Sequence, residues 1–303
     1  MRQTEWITDA IAYVKKKADE NLETFKEVFP APNSEQLIYP AWENFEWTPG
    51  FWTGMLWLLY EETGDEKYRK ALEPLIGTFR KRLEEDTTLE THDIGFLYSL
   101  STLAQYKITG DEEALALSAR AADRLMDRYN ETAQIIQAWG NLNDPAQQGR
   151  MIIDCLMNLS LLYDISDITG DKKYRRAAEH HAKQAQKYLV REDYSTYHTF
   201  YMDIHTGEPI KGTTAQGYSD QSAWARGQAW GVYGFTLSYV HTEDVSFLET
   251  AAHIADYYLE RLPEDFVPYW DLYFRSGDEY RDSSSAGILA CGLLELAKHL
   301  PLT

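Results

Sequence analysis

Two aspartates and one polar, aromatic stretch carry the chemistry that this sequence offers. Asp154 lies in RMIIDCLMNLSLL (150–162), where it is the only charge after the leading Arg150. A carboxyl set among apolar residues without a cation is costly to ionise, so its pKa rises toward the range a general acid near neutral pH requires. In the bland alternative, Asp154 caps or hydrogen-bonds a neighbouring helix. Asp93, in THDIGFLYSL (91–100), stands at a helix start, where aspartate is common merely as a cap. Should the two carboxyls face one another, their titrations split and leave one acid and one base.

The stretch GTTAQGYSDQSAWARGQAW, 212–230, gathers Gln216, Gln221, Gln228, Trp224, Trp230 and Arg226 at the start of an apolar run. Helix starts present free N–H groups and partial positive charge, so such a segment suits an anionic ligand held between flat aromatic faces. Any one of Trp47, Trp139, Trp224 and Trp230 could be core. Four of them near one predicted mouth suit stacking on a sugar ring, with Arg226 available to pair a carboxylate. His198 sits in a period-two run with Tyr197, Thr199 and Phe200 and is as readily structural as functional. Eight histidines with no HxxH or HExxH spacing give no reason to expect a metal.

These residues need elements to position them, and a recurring turn supplies the plan. Thr63-Gly64-Asp65, Thr109-Gly110-Asp111 and Thr169-Gly170-Asp171 each join a glycine suited to end one helix to an aspartate suited to cap the next, and His241-Thr242-Glu243-Asp244 is a weaker version. Apolar helices are expected before the turns (51–62, 94–108, 150–168, 226–241) and charged, one-faced helices after them (65–84, 111–129, 171–190, 244–261). A first one-faced helix is expected over 3–28, with Trp6, Ile7, Ala10, Ile11 and Val14 turned inward, and a last apolar one over 284–300. The alternation predicts an all-α toroid of inner and outer helices forming a single domain over 1–303. Residues 131–149 read as a loop, and 194–212 as a β-hairpin turning at His205-Thr206-Gly207.

Composition narrows the partners. A net charge of −19 over 303 residues repels nucleic acid and anionic membrane, and no run is long enough to span a bilayer. The N-terminus lacks a basic stretch followed by an uninterrupted apolar one, so a cytoplasmic location is expected. Cys155 and Cys291 fall in apolar helical runs and are expected to act as small core residues.

The blocks THDIGF (91–96), RMIIDCLMNL (150–159), YHTFYMDIHTGEPIKGTT (197–214) and GYSDQSAWARGQAWGVYGF (217–235) resemble the unsaturated glucuronyl hydrolases, glycoside hydrolase family 88. That family removes 4,5-unsaturated uronic acid from oligosaccharides made by polysaccharide lyases. The resemblance implies an (α/α)6 barrel, no cofactor or metal, an unsaturated uronyl oligosaccharide as substrate, and a cytoplasmic role downstream of lyase action. It implies that Asp154 is the principal acid/base and Asp93 its support, with Trp47, Trp139, His198, Gln216, Trp224, Arg226 and Trp230 lining the sugar subsite. The implied chemistry is hydration of an enol ether. The alternatives are an unsaturated rhamnogalacturonyl hydrolase and an inactive uronate-binding or scaffold variant.

Two departures from the family pattern stand out. The family usually has histidine immediately before the glutamine matched by Gln216, whereas this chain has Ala215, which is expected to weaken binding or turnover. Ten helices, not twelve, also imply a barrel short of its last helix pair. Such a barrel would expose apolar faces and could close through a partner chain as a homodimer.

Overall fold

The turns behave as their chemistry predicts. In the computed structural model, which describes residues 2–300 (side chains from residue 6), Gly64, Gly110 and Gly170 all end helices in the left-handed region, at φ 64°, 73° and 79°. Asp65 and Asp171 then accept the backbone N–H two residues on, from Lys67 and Lys173. The weaker fourth turn is built the same way, with Glu243 at φ 58° and Asp244 accepting from Ser246.

Two compact units emerge from the backbone contacts. The first contains residues up to Leu89 together with Phe96–Ala121; the second contains Glu90–Gly95 and the chain from Ala122 onward. In the first unit, α1 (Arg2–Leu22) leads through the short strands β1 (Phe29–Pro30) and β2 (Ala41–Trp42) to α2 (Pro49–Thr63) and α3 (Glu66–Glu84). The next apolar helix is α4 (Ile94–Tyr98), a π-helical turn over Ser99–Leu103, and α5 (Ala104–Thr109), followed by α6 (Glu112–Met126). The Thr53 hydroxyl lies against the π turn, 2.9 Å from the Gly50 carbonyl and 3.1 Å from the Leu100 carbonyl, with one proton to give to either.

The second unit continues with β3 (Tyr129–Asn130), β4 (Ile135–Ile136), β5 (Arg150–Ile152), α7 (Cys155–Thr169), α8 (Lys172–Tyr188), β6 (Thr199–Met202), β7 (Pro209–Thr213), α9 (Ala225–Thr242), α10 (Val245–Leu259) and α11 (Ser283–Ala297). Helices α7 and α9 are buried on most sides, whereas α8 buries one face through Tyr174, Ala177, Ala178, His181, Ala182 and Ala185. Glycine permits the close approach of α9 to α7, because a Cβ at Gly234 would stand 2.4 Å from the Leu156 side chain.

Four expectations need correction. Arg150–Ile152 does not open the helix; it is extended, pairs with β6 and makes the 199–213 hairpin a three-stranded antiparallel sheet. Gly149, at φ 73°, turns the chain into that strand. The loop over 131–149 contains β4, paired with β3. The stripe of α1 is not turned inward: Trp6 is 71% exposed, and Ile7, Ile11 and Val14 are exposed as well, leaving Ala18 as the buried apolar residue. Cys155 is buried as expected, but Cys291 is exposed on α11.

Candidate active site

Asp154 occupies the residue before α7 but makes no side-chain capping bond, so the bland reading of it as a cap fails. The residue keeps some contact with solvent, whereas its Oδ1 is buried and has no hydrogen-bond partner. Burial and, second, the negative charge of Asp93 push its carboxyl up to about 7, with Arg226 opposing. A carboxyl in that state is protonated in about half of the molecules at neutral pH and can give its proton up when an acceptor arrives.

Asp93 directly precedes α4. Its Oδ2 accepts the Thr91 hydroxyl at 2.7 Å, and its Oδ1 lies 3.4 Å from Nε2 of His92. What carries it toward Asp154 is Gly95: a Cβ there would stand 2.4 Å from Cα of Asn158, so the start of α4 lies directly against the first turn of α7. Asn158 itself reaches back to the Asp154 carbonyl at 3.3 Å.

Beside the carboxyls runs a chain of rings and cations. The Arg226 guanidinium lies 4.7 Å over the Trp224 ring, Trp224 meets His198 edge-to-face at 5.1 Å, His198 lies 6.2 Å from Trp139, and Arg150 lies 4.6 Å over the far ring. Strand pairing sets this order. His198 immediately precedes β6, which pairs with β5 just ahead of Asp154, and an isolated bridge joins Trp139 to Thr91. Trp224 is held by the 268–274 segment, where the Trp270 carbonyl accepts from Ala225 N–H and the Ala223 carbonyl accepts from Leu272 N–H.

Hydrogen bonding fixes the proton on His198. The backbone N–H of Ala215 can only donate, and it points at Nδ1 from 3.1 Å, so the neutral ring carries its proton on Nε2 and the Thr199 hydroxyl, 2.6 Å from the same Nδ1, is a donor to it as well. That Nε2 is buried and unpartnered. Burial, then His92, Arg150 and Arg226, lower the histidine to about 4, so at neutral pH it is an uncharged donor.

Asp93, Asp154, His198, Trp139, Trp224 and Arg226 therefore all belong to the second unit and are linked by the contacts above. Trp47 belongs to the first unit, where it packs against Phe51 and Phe96. Trp230 is 4% exposed and sits in the core of α9, while Gln216 is exposed on the bend between β7 and α9. Gln228, grouped with the polar stretch by sequence, is buried and binds the Thr196, Tyr194 and Ile254 backbone. Arg226 also differs from expectation: Nη1 is already paired with Asp282 at 3.0 Å and Ser284 at 2.8 Å.

Sequence reasoning gives Thr91, His92, Asp282 and Ser284 no part in contacting either charge. Polar residues at helix starts were the available signal, but which charge they touch depends on strands and loops far away in the chain. Among the described residues, no group of three His, Cys, Asp or Glu side chains is arranged to hold a metal ion. No helix among them is long and apolar enough to cross a membrane.

The family model for Glycosyl Hydrolase Family 88 matches residues 16–294. The chain is 50% identical, over 92% of its length and 74% of the relative's, to an unsaturated glucuronyl hydrolase of Bacillus sp. (strain GL1). It is 46% identical, over 98% of its length and 75% of the relative's, to an unsaturated chondroitin disaccharide hydrolase of Streptococcus pneumoniae. The crystal structure of the Bacillus sp. GL1 unsaturated glucuronyl hydrolase superposes with a TM-score of 0.93 at 47% identity, covering 97% of this chain and 78% of that one. The fold class is thus the all-α, α/α-toroid class that the helix alternation predicts.

Proposed function

The chain belongs to glycosyl hydrolase family 88, and from that premise we propose that it releases 4,5-unsaturated glucuronic acid from the non-reducing end of lyase-generated glycosaminoglycan oligosaccharides. The observation that carries the reading is Asp154: a carboxyl raised to about 7, with a buried, unpartnered oxygen, beside the charge of Asp93.

In this reading Asp154 gives its proton to C4 of the enol ether. Positive charge then develops at C5 and on the ring oxygen. Water adds at C5, and a carboxylate takes its second proton; Asp154, now ionised, is suited to do so, with Asp93 in support. The product is a hemiketal. Its C5–O bond opens to a ketone, the ring oxygen becomes a hydroxyl on C1, and collapse at C1 expels the remaining glycan as an alcohol. One water is consumed.

The other residues fit roles around that step. Trp139 and Trp224 offer faces to the sugar, and the Nε2–H of His198 offers a donor to one of its oxygens. Arg226 attracts the uronate carboxylate. Gln216 and Trp230 remain in the proposal as subsite residues on the strength of the family resemblance. A cytoplasmic location belongs to the same reading, supported by two cysteines left as free thiols.

The assay is direct, because hydration destroys the conjugated enol ether and with it the ultraviolet absorbance. Adding the protein to an unsaturated chondroitin disaccharide is expected to bleach that absorbance, and Asp154→Asn to abolish the bleaching. Undiminished activity in Asp154→Asn would defeat the assignment.

A further inference from the structure

Two buried histidines beside the site have complementary unused nitrogens. The backbone N–H of Ile136 donates to Nδ1 of His181 at 2.8 Å, so that nitrogen carries the lone pair and the neutral ring's proton is on Nε2. This Nε2–H is buried without a partner. His92 shows the opposite face. Its Nε2 lies 3.4 Å from the Asp93 carboxylate, and its Nδ1 is buried and unpartnered too.

The first orphan is a donor, and the second is its acceptor when His92 carries its proton on Nε2. Both imidazoles are tied to the same segment: Ile136 holds His181, and two residues on, the Ala138 carbonyl accepts the backbone N–H of His92 at 2.6 Å. Each ring is shielded from water, and the two are close enough for His92 to act electrostatically on His181. Buried polar atoms in native proteins are almost always satisfied, by protein or by an internal water that bridges two or more of them.

We propose that His181 is a positioning residue for Asp93, acting through a relay that runs from Ile136 N–H to His181, through one internal water to Nδ1 of His92, and from His92 Nε2–H to the Asp93 carboxylate. The relay decides which tautomer His92 adopts. With the water donating to Nδ1, the His92 proton must stand on Nε2, facing Asp93. Without that donor, either nitrogen of His92 can hold the proton, and the contact with Asp93 becomes a lone pair against a carboxylate for part of the population. Arg128, the other charged group bearing on His92, disfavours the imidazolium and so supports a neutral relay.

The functional consequence rests on the reading of Asp93 as the carboxylate supporting Asp154, but the relay has a readout of its own. Nitrogen NMR of the isotopically labelled full chain at about pH 7.5 distinguishes imidazole tautomers. His92 and His181 are both expected as Nε2–H tautomers. His181→Phe keeps a flat ring without nitrogens; in that variant His92 is expected to become a tautomer mixture, and kcat on an unsaturated chondroitin disaccharide to fall about tenfold with KM within about twofold. A wild-type His92 in the Nδ1–H form overturns the relay, as does a His181→Phe variant with an unchanged His92 tautomer. Should His181→Phe fail to fold, His181→Leu removes the same donor and is read the same way. The tautomers do not depend on which sugar is cleaved, so a wrong substrate would leave the spectrum intact, and a wrong relay would leave hydrolysis intact.

Discussion

Ala215 donates its backbone N–H to Nδ1 of His198 at 3.1 Å, so the position that departs from the family pattern still sets the tautomer of a site histidine. What alanine lacks is a polar side chain at an exposed bend. Ala215→His is therefore expected to leave folding unchanged and to raise kcat/KM about tenfold, the worth of one hydrogen bond to substrate. Steady-state bleaching assays on the two proteins decide it.

Asp154 must be protonated to act, so activity is expected to fall as pH rises through about 7. Asp93 is the like charge that helps hold that value up. In Asp93→Asn the fall should therefore move to lower pH, beyond any loss in kcat. A kcat/KM profile between about pH 5 and pH 9 measures the fall in both proteins.

Stability should respond to acid with a defined sign. His92 and His181 are lowered from 6.5 to about 3 and His198 to about 4, so unfolding takes up three protons between those values and 6.5, and their stabilisation is lost as pH falls. Asp154 acts oppositely, since its raised value means that unfolding releases one proton between 3.8 and about 7. The net uptake of about two protons predicts that unfolding free energy drops by about 2.7 kcal/mol per pH unit near pH 5. Asp154→Asn should steepen that slope and stabilise the protein at alkaline pH, by at most about 4 kcal/mol. Urea titrations across the range check the slope and its sign.

Gly95 is the contact on which the spacing of the two aspartates depends. Gly95→Ala puts a methyl 2.4 Å from Asn158 Cα, where backbone must yield. A loss of about 1–3 kcal/mol is expected, with a fall in kcat larger than that of Gly77→Ala, whose Cβ would meet nothing within 4 Å. Thermal melts paired with kinetics test this.

The charge of the chain opposes an anionic substrate. With a net charge of −19 and Arg226 already paired to Asp282, the long-range field repels the uronate while short-range contacts hold it. Screening should remove more repulsion than attraction, so KM is expected to fall a few-fold between about 10 mM and 150 mM salt. A KM that rises steeply over the same range would show that attraction dominates.

Local chemistry made much of this protein legible from its residues. Glycine at C′ and aspartate at the N-cap act within one turn, so the TGD repeats and the helix alternation could be read directly, and the isolated charge of Asp154 marked it out among apolar neighbours. Strand β5 escaped because Arg150–Ile152 is as apolar as a helix start, and its partner β6 lies some fifty residues away. The exposed stripe of α1 escaped for a related reason: periodicity tells which face is apolar but not whether anything packs on it. Tertiary structure alone decided that Arg226 is tied to Asp282, that Gln228 binds backbone, and that His92 and His181 share a segment. Each of these is a contact between residues distant in the chain, fixed by packing and hydrogen-bond geometry that no spacing rule encodes.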